Sequence, residues 1–360
     1  CAFCRRLSLH VRRHDLPRIV SMEIPGEKLI IKLWDTIADR GIGSLLKPWQ
    51  IRREGRANVD VRRDEILALA QAEADAEAIR SGRRLLLANG EVVDRQALEA
   101  PAVIHGSVDK AYLALPRAIE IADQNSKAEA IRREVSIAKA VIYAEDELQK
   151  ETSEPTQESP QDDWLLRWRE CAAGVSSDEL QQIWGKVLAG EVKSPGYFSL
   201  RTLEFLRNLS QAEAQAIERI SPFVISNFLY RGKDGVLEAE GISFSDLLAM
   251  QELGVLAGVD GLGLEVSLKS NDATSFQNAL TCHGALIVAT AIDPNKIIKL
   301  NVCKVTAIGA QVLSLGSFSP NERMVKAVAV AIKALGFDVQ VGSYVHVGSD
   351  QLQSFNLKQI

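Results

Sequence analysis

Aromatic residues are scarce, at 6% of 360 positions, and basic charge is in deficit, with 42 Lys and Arg against 47 Asp and Glu. A net charge of −5 gives the chain no general attraction to nucleic acid. No apolar run approaches the roughly 18 residues of a membrane-spanning helix. The longest, GALIVATAI at 284–292, has the length of a buried strand. Cysteine is sparse and scattered: Cys1, Cys4, Cys171, Cys282 and Cys303 are an odd set that suits a reducing cytoplasm better than a disulfide framework. No phosphate loop of the form G-x-x-x-x-G-K-[ST], no H-E-x-x-H and no G-x-S-x-G occur. GVDGLGLE at 258–265 carries its glycines in the wrong order for a dinucleotide fingerprint and reads as a turn between a helix and a strand. The opening 21 residues lack the apolar stretch and small-residue cleavage site of a secretory signal. Because Met22 opens a segment of different character, it is the expected physiological start, with 1–21 non-native or disordered.

What is present is helix-forming sequence with clear punctuation. In KLIIKLWDTIADRGIGSLLKPWQI (28–51), Leu29, Leu33, Trp34, Ile37 and Ala38 share one helical face. The surrounding stretch 22–58 is a basic amphipathic segment. Its cationic and aromatic residues Lys47, Trp49, Arg52, Arg53 and Arg56 are candidates for contact with a partner or an anionic membrane surface. Asp35 and Asp39 dilute the basic face, which favours packing against the protein's own helices. Two long helices are predicted within 59–150, one over about 59–84 and one over about 117–150. The interval 85–116 is ambiguous, with Pro101 and Pro116 as breakers. Between 145 and 163, eight acids, one lysine and two prolines have the composition of a solvated linker, and a domain boundary is expected at 151–163.

A compact helical module follows over 164–241. DDWLLRWREC reads as an Asp-capped helix with Trp164, Leu165, Trp168 and Ala172 inward. Ser176 with Glu179 and Ser210 with Glu213 read as capping boxes, Ser199 as a third cap, and Gly190 as a helix stop. Residues 242–360 change rhythm. Ser243 opens a helix ending at Gly254, while LEVSLK (264–269) and IIKLNVCKV (297–305) alternate as half-buried strands. TAIGAQVLSL reads as a short helix, Ser319, Pro320 and Glu322 as the start of another, and FDVQVGSYVHV as a further alternating strand. The expected fold is mainly α, with long helices in the N-terminal half and a smaller α+β, winged-helix-like C-terminal module.

The stretch from Asp162 to Ala214, DDWLLRWRECAAGVSSDELQQIWGKVLAGEVKSPGYFSLRTLEFLRNLSQAEA, resembles the central signature of a bacterial domain-of-unknown-function family, number twenty-eight-hundred-six. KPWQIRREGRA (47–57) and NSKAEAIRREVSIAKA (125–140) resemble other parts of it. The central stretch is also loosely similar to the abortive-infection alpha family of phage-defence proteins. The resemblance implies a bacterial origin, a helical core and a defence role, and it carries over no catalytic residue.

Chemistry-bearing clusters are few. Cys1, Cys4, His10 and His14 form C-x2-C-x5-H-x3-H, but five intervening residues make it difficult for the two pairs to converge on zinc, which favours a chance cluster. Cys282 and His283 are adjacent, so on a strand their side chains diverge. His105 and His346 are isolated. No catalytic, cofactor or metal residue is therefore assigned, and no cofactor is expected. Residues 242–350 hold seven Lys and Arg against nine Asp and Glu, which supplies little phosphate neutralisation. Lys296, Lys299 and Lys304 remain a candidate nucleic-acid patch. The leading expectation is a non-enzymatic cytoplasmic protein acting through a protein partner or self-association. A DNA-associated regulator and a peripheral membrane effector working through 28–51 are the alternatives.

Overall fold

The computed structural model describes residues 26–39, 58–95, 115–151, 153–232, 234–260, 264–346 and 352–360. In the first half of the chain the described residues are mainly helical. It comprises α1 (Glu27–Asp39), α2 (Asn58–Arg80), a short hairpin of β1 (Arg84–Leu86) and β2 (Val92–Asp94), and α3 (Leu115–Leu148). Then come α4 (Asp162–Ala173), α5 (Asp178–Lys193) and α6 (Leu200–Asn208). Glu73 of α2 meets Lys139 of α3 at 2.8 Å. The backbone of Leu86 in the hairpin is held by the Gln124 side chain, so 85–116, ambiguous as sequence, begins with a small antiparallel ladder.

These helices share one core. The apolar face of α1 (Leu29, Leu33, Trp34, Ile37) joins Leu69 of α2 and Val135, Ala138, Val141 and Leu148 of α3. The same cluster contains Trp164, Leu165 and Trp168 of α4 and Trp184, Val187 and Leu188 of α5. The face of α1 that a membrane-surface helix would need is thus buried within the protein. α3 and α5 pack closely, and Gly185 allows it. A Cβ there would lie 2.6 Å from Tyr143 Cβ and 2.9 Å from the Ala140 carbonyl, so any side chain forces the backbones apart. The acidic segment 151–163 connects α3 to α4 within this single core, and Pro160 in it is buried. The domain boundary expected there falls between two helices whose apolar faces pack together.

A second core begins at α7 (Gln211–Ile220) and runs to the end of the chain. It holds β3 (Val224–Ile225), β4 (Phe228–Tyr230), α8 (Val236–Ala239), α9 (Phe244–Glu252), β5 (Leu256–Ala257) and β6 (Leu264–Leu268). β7 (Phe276–Cys282), β8 (Ala285–Ala291), β9 (Ile298–Val305), α10 (Ala307–Leu313), α11 (Glu322–Ala334), β10 (Asp338–His346) and β11 (Leu352–Gln359) complete it. The fold is accordingly mixed α/β rather than mainly α.

The two strands expected of a wing do pair, Leu264 opposite Val302 through Leu268 opposite Ile298. However, β9 is the central strand of a five-stranded sheet. β4 lies on one side of it, and β5 and β6 lie end to end on the other. Between β6 and β9 the chain builds the β7–β8 hairpin of a separate antiparallel sheet, ordered β11-β10-β8-β7. α11 packs on β8 and β10, burying Val325, Val328, Ala329 and Ile332.

Local start signals are mostly obeyed, with shifts of a residue or two. Ser199 and Ser210 cap as expected, and Ser210 completes its box with Glu213. Ser243 forms a box with Asp246. The cap of α5 is Ser177, accepting from the Leu180 N–H, rather than Ser176, so no 176/179 box forms. Gln161, not an aspartate, precedes α4, with Asp162 and Asp163 in its first turn, where carboxylates favour the helix dipole. Asn321 caps α11, in place of the expected Ser319–Pro320–Glu322 start.

Candidate functional site

The two cores meet along α10. Gln311 Oε1 accepts from the Ser199 N–H at 3.1 Å and from the Thr202 hydroxyl, and Thr202 is fully buried. Lys186 Nζ donates to the Leu315 carbonyl at 2.9 Å. That places a cation at the C-terminal end of α10, where the helix dipole and unpaired carbonyls attract it. Leu315 itself is buried in the helical cluster. The junction is therefore held by hydrogen bonds to one glutamine and one lysine around an apolar plug.

Beside this junction lies a cleft of about 360 Å³ lined by Leu148, Glu151, Lys193, Tyr197, Phe198 and Leu315, among others. Lys193 meets Glu151 across the rim at 2.6 Å, while Glu147 pairs with Lys150 three residues on at the end of α3, at 2.9 Å. The floor is apolar, with Phe198 folded beneath Gly190, where a Cβ would strike its ring at 2.6 Å. Gly190, expected to stop the helix, instead lies inside α5, which continues to Lys193. Among the described residues no group of three or more His, Cys, Asp or Glu is placed to hold a metal ion. The cleft offers paired charges and the hydroxyls of Ser194, Tyr197, Ser314 and Ser317 around Leu148, Phe198 and Leu315.

The loop closing this cleft is organised by a buried carboxylate. Glu191, 1% exposed, accepts from the Gly196 N–H at 2.6 Å and from the Phe198 N–H at 3.0 Å. Burial raises its pKa above the ordinary carboxylate value, and the two backbone donors hold the rise back. Trp164 Nε1 completes the loop by donating to the Phe198 carbonyl at 2.7 Å.

The lysines proposed as a nucleic-acid patch are not gathered into one. Lys296 Nζ donates to the Gly336 carbonyl and sits 4.4 Å from the centroid of the Phe337 ring. Lys299 is paired with Glu265 across the β6–β9 ladder at 3.1 Å. Lys304 is exposed but lies about 17 Å farther along β9, at an odd spacing that puts it on the opposite face of a regular strand. Lys47, Trp49, Arg52, Arg53 and Arg56, with Cys1, Cys4, His10, His14 and His105, lie outside the described residues.

The described cysteines are buried thiols. Burial pushes Cys282 up to about 12, and its Sγ faces the Pro222 carbonyl. Its neighbour His283, at φ 44°, turns away to the Ser221 carbonyl at 2.8 Å, so the two residues form no dyad.

One surface was not visible as a site in the sequence. β11 is exposed along its whole length, with Leu352, Phe355 and Leu357 presenting apolar surface and Val345 of β10 beside them. Among the described residues β11 is the terminal strand of the ladder, paired with β10 alone. Its sequence, LQSFNLKQ, shows no clean alternation because a bulge at Asn356, φ 54°, shifts the phase between Phe355 and Lys358.

Residues 122–231 match the model of a family described as "Protein of unknown function (DUF2806)". The matched stretch runs from within α3 to the first residue after β4, so it takes in most of the helical core, the Glu191 loop and one wall of the cleft. Comparison with curated proteins and with solved structures gave no match.

Proposed function

We propose that this chain works by binding another protein, with the helical core as scaffold and the C-terminal sheet as the contact surface. The supporting observation is β11: an eight-residue terminal strand, exposed throughout, carrying three apolar side chains and a single charge, Lys358. Proteins usually blunt such edges with short length, proline or several charges, because an open row of N–H and C=O groups pairs readily with another chain. A photo-crosslinking residue placed at Phe355 is expected to give a discrete adduct in cells that a Leu352→Lys change abolishes. The same residue placed at the 96%-exposed Ile292 should give none. Equal labelling from both positions, or none from either, would remove the reading.

The loose similarity to the abortive-infection alpha family extends this proposal to phage defence in a bacterial host. Expression in a phage-sensitive bacterium should then lower plating efficiency at least tenfold for some phage, and Phe355→Lys should restore it. Unchanged plating across a broad phage panel would leave the binding reading without this role.

A further inference from the structure

Resting on that reading, we infer that the partner at β11 is a second copy of this chain, joined by antiparallel β11–β11 pairing into one eight-stranded sheet. An antiparallel edge is its own complement. Rotated by a twofold axis perpendicular to the sheet, each outward N–H meets an outward C=O of the identical strand.

The side chains fit that arrangement. Ser343 lies opposite Phe355 and Val345 opposite Gln353, so in this ladder Phe355 and Val345 share the face on which Val339 is buried. α11 covers that face over β8 and β10, whereas Val345 at 49% exposure and Phe355 at 40% lie beyond its cover. Tyr344 turns its N–H to Gly284 of β8, so Ser343 and its partner Phe355 bond each other and Ser354 faces outward. A twofold centred on Ser354 sets the two Phe355 rings diagonally on one face, continuing the apolar floor from one copy to the other. On the other face Leu357 lies over Gly342, with its Cδ2 3.0 Å from where a Cβ would be.

Charge agrees with a like partner. β11 contains no acid and no proline, and in this register Lys358 lies beyond the far end of the opposing strand, placing the two ammonium groups about 25 Å apart. The bulge at Asn356 leaves Leu352 to Phe355 as the regular part of the edge.

The test is light-scattering mass across a protein concentration series, run on the full chain and on Phe355→Lys. Hydrogen exchange of the 352–359 amides is followed in the same samples. The expected result is a mass rising to twice the 39.4 kDa of one chain, with β11 amides slowing in step. In the variant the mass should stay at one chain, with the melting temperature of the parent at dilutions where the parent is monomeric, since the residue is exposed and the new ammonium groups would approach each other. A dimer that survives Phe355→Lys with freely exchanging β11 amides overturns the inference by placing the interface elsewhere. A monomer at every concentration also overturns it. In that case a Phe355 photo-adduct of a mass other than twice the chain preserves the binding reading, and the absence of any adduct ends both.

Discussion

Replacing Trp168 with alanine is expected to destabilise the helical core by about 3–5 kcal/mol, the range for emptying a fully buried aromatic site. Trp168 is completely buried between α4 and α5, and its Nε1 donates to the Trp184 carbonyl at 2.9 Å. The substitution removes the indole from the cluster that joins all the long helices, so the loss is not confined to α4. Net stabilities of domains are only about 5–15 kcal/mol, so this one change should consume a large fraction of the total. Denaturant titration followed by circular dichroism at helical wavelengths measures it. Leu166→Ala, two residues away but 56% exposed, is the control and should stay within about 0.5 kcal/mol of the parent. A Trp168→Ala shift as small as the control's would mean that the helices hold together without this anchor.

Glu191 should show both a large mutational effect and a diagnostic pH dependence. Glu191→Ala leaves the buried Phe198 N–H without its acceptor and releases the Gly196 N–H, which lies at the exposed tip of the loop. The orphaned buried group costs about 1–3 kcal/mol, and the exposed one can turn to water at smaller cost. Glu191→Gln keeps one acceptor oxygen and should lose less. The sign of the pH effect follows from the raised pKa: the folded protein holds this proton more tightly than the unfolded chain does. The residue's contribution is therefore greatest below the ordinary carboxylate value and is lost as pH rises through the higher, folded value. Measured as parent minus Glu191→Gln unfolding free energy, the difference should grow toward acid across that window. Growth toward alkaline pH would show that hydrogen bonding to the carboxylate outweighs its burial.

Much of the helical architecture could be read directly, and its physical basis is short-range. Both long helices, the Ser199, Ser210 and Ser243 caps and the inward faces of α1, α4 and α5 follow from spacings of three, four and seven residues. Even there, competition between neighbours shifted details. Ser177 rather than Ser176 caps α5, and Gly190 stays helical because Phe198 fills the space a side chain would take. The sheets were less legible. β7 has a polar Asn278 between Phe276 and Leu280, and β11 loses its phase at the Asn356 bulge, so neither shows the alternation that identifies a half-buried strand.

Composition and local spacing settle which segments become helices and which face of each is apolar, because those depend on a residue and its neighbours within two turns. Which faces then meet is a matter of long-range packing. An acidic, proline-bearing segment reads as a linker, yet α3 and α4 on either side of it bury their apolar faces in one cluster. β6 and β9 pair across residues 269–297, which supply a hairpin to another sheet and make β9 a central strand instead of one side of a wing. Three lysines close in sequence are drawn apart by the Gly336 carbonyl, by Glu265 and by the two faces of one strand. A strand's edge exists only once its neighbours are in place, and so β11, exposed along its length, could be recognised only in the folded chain.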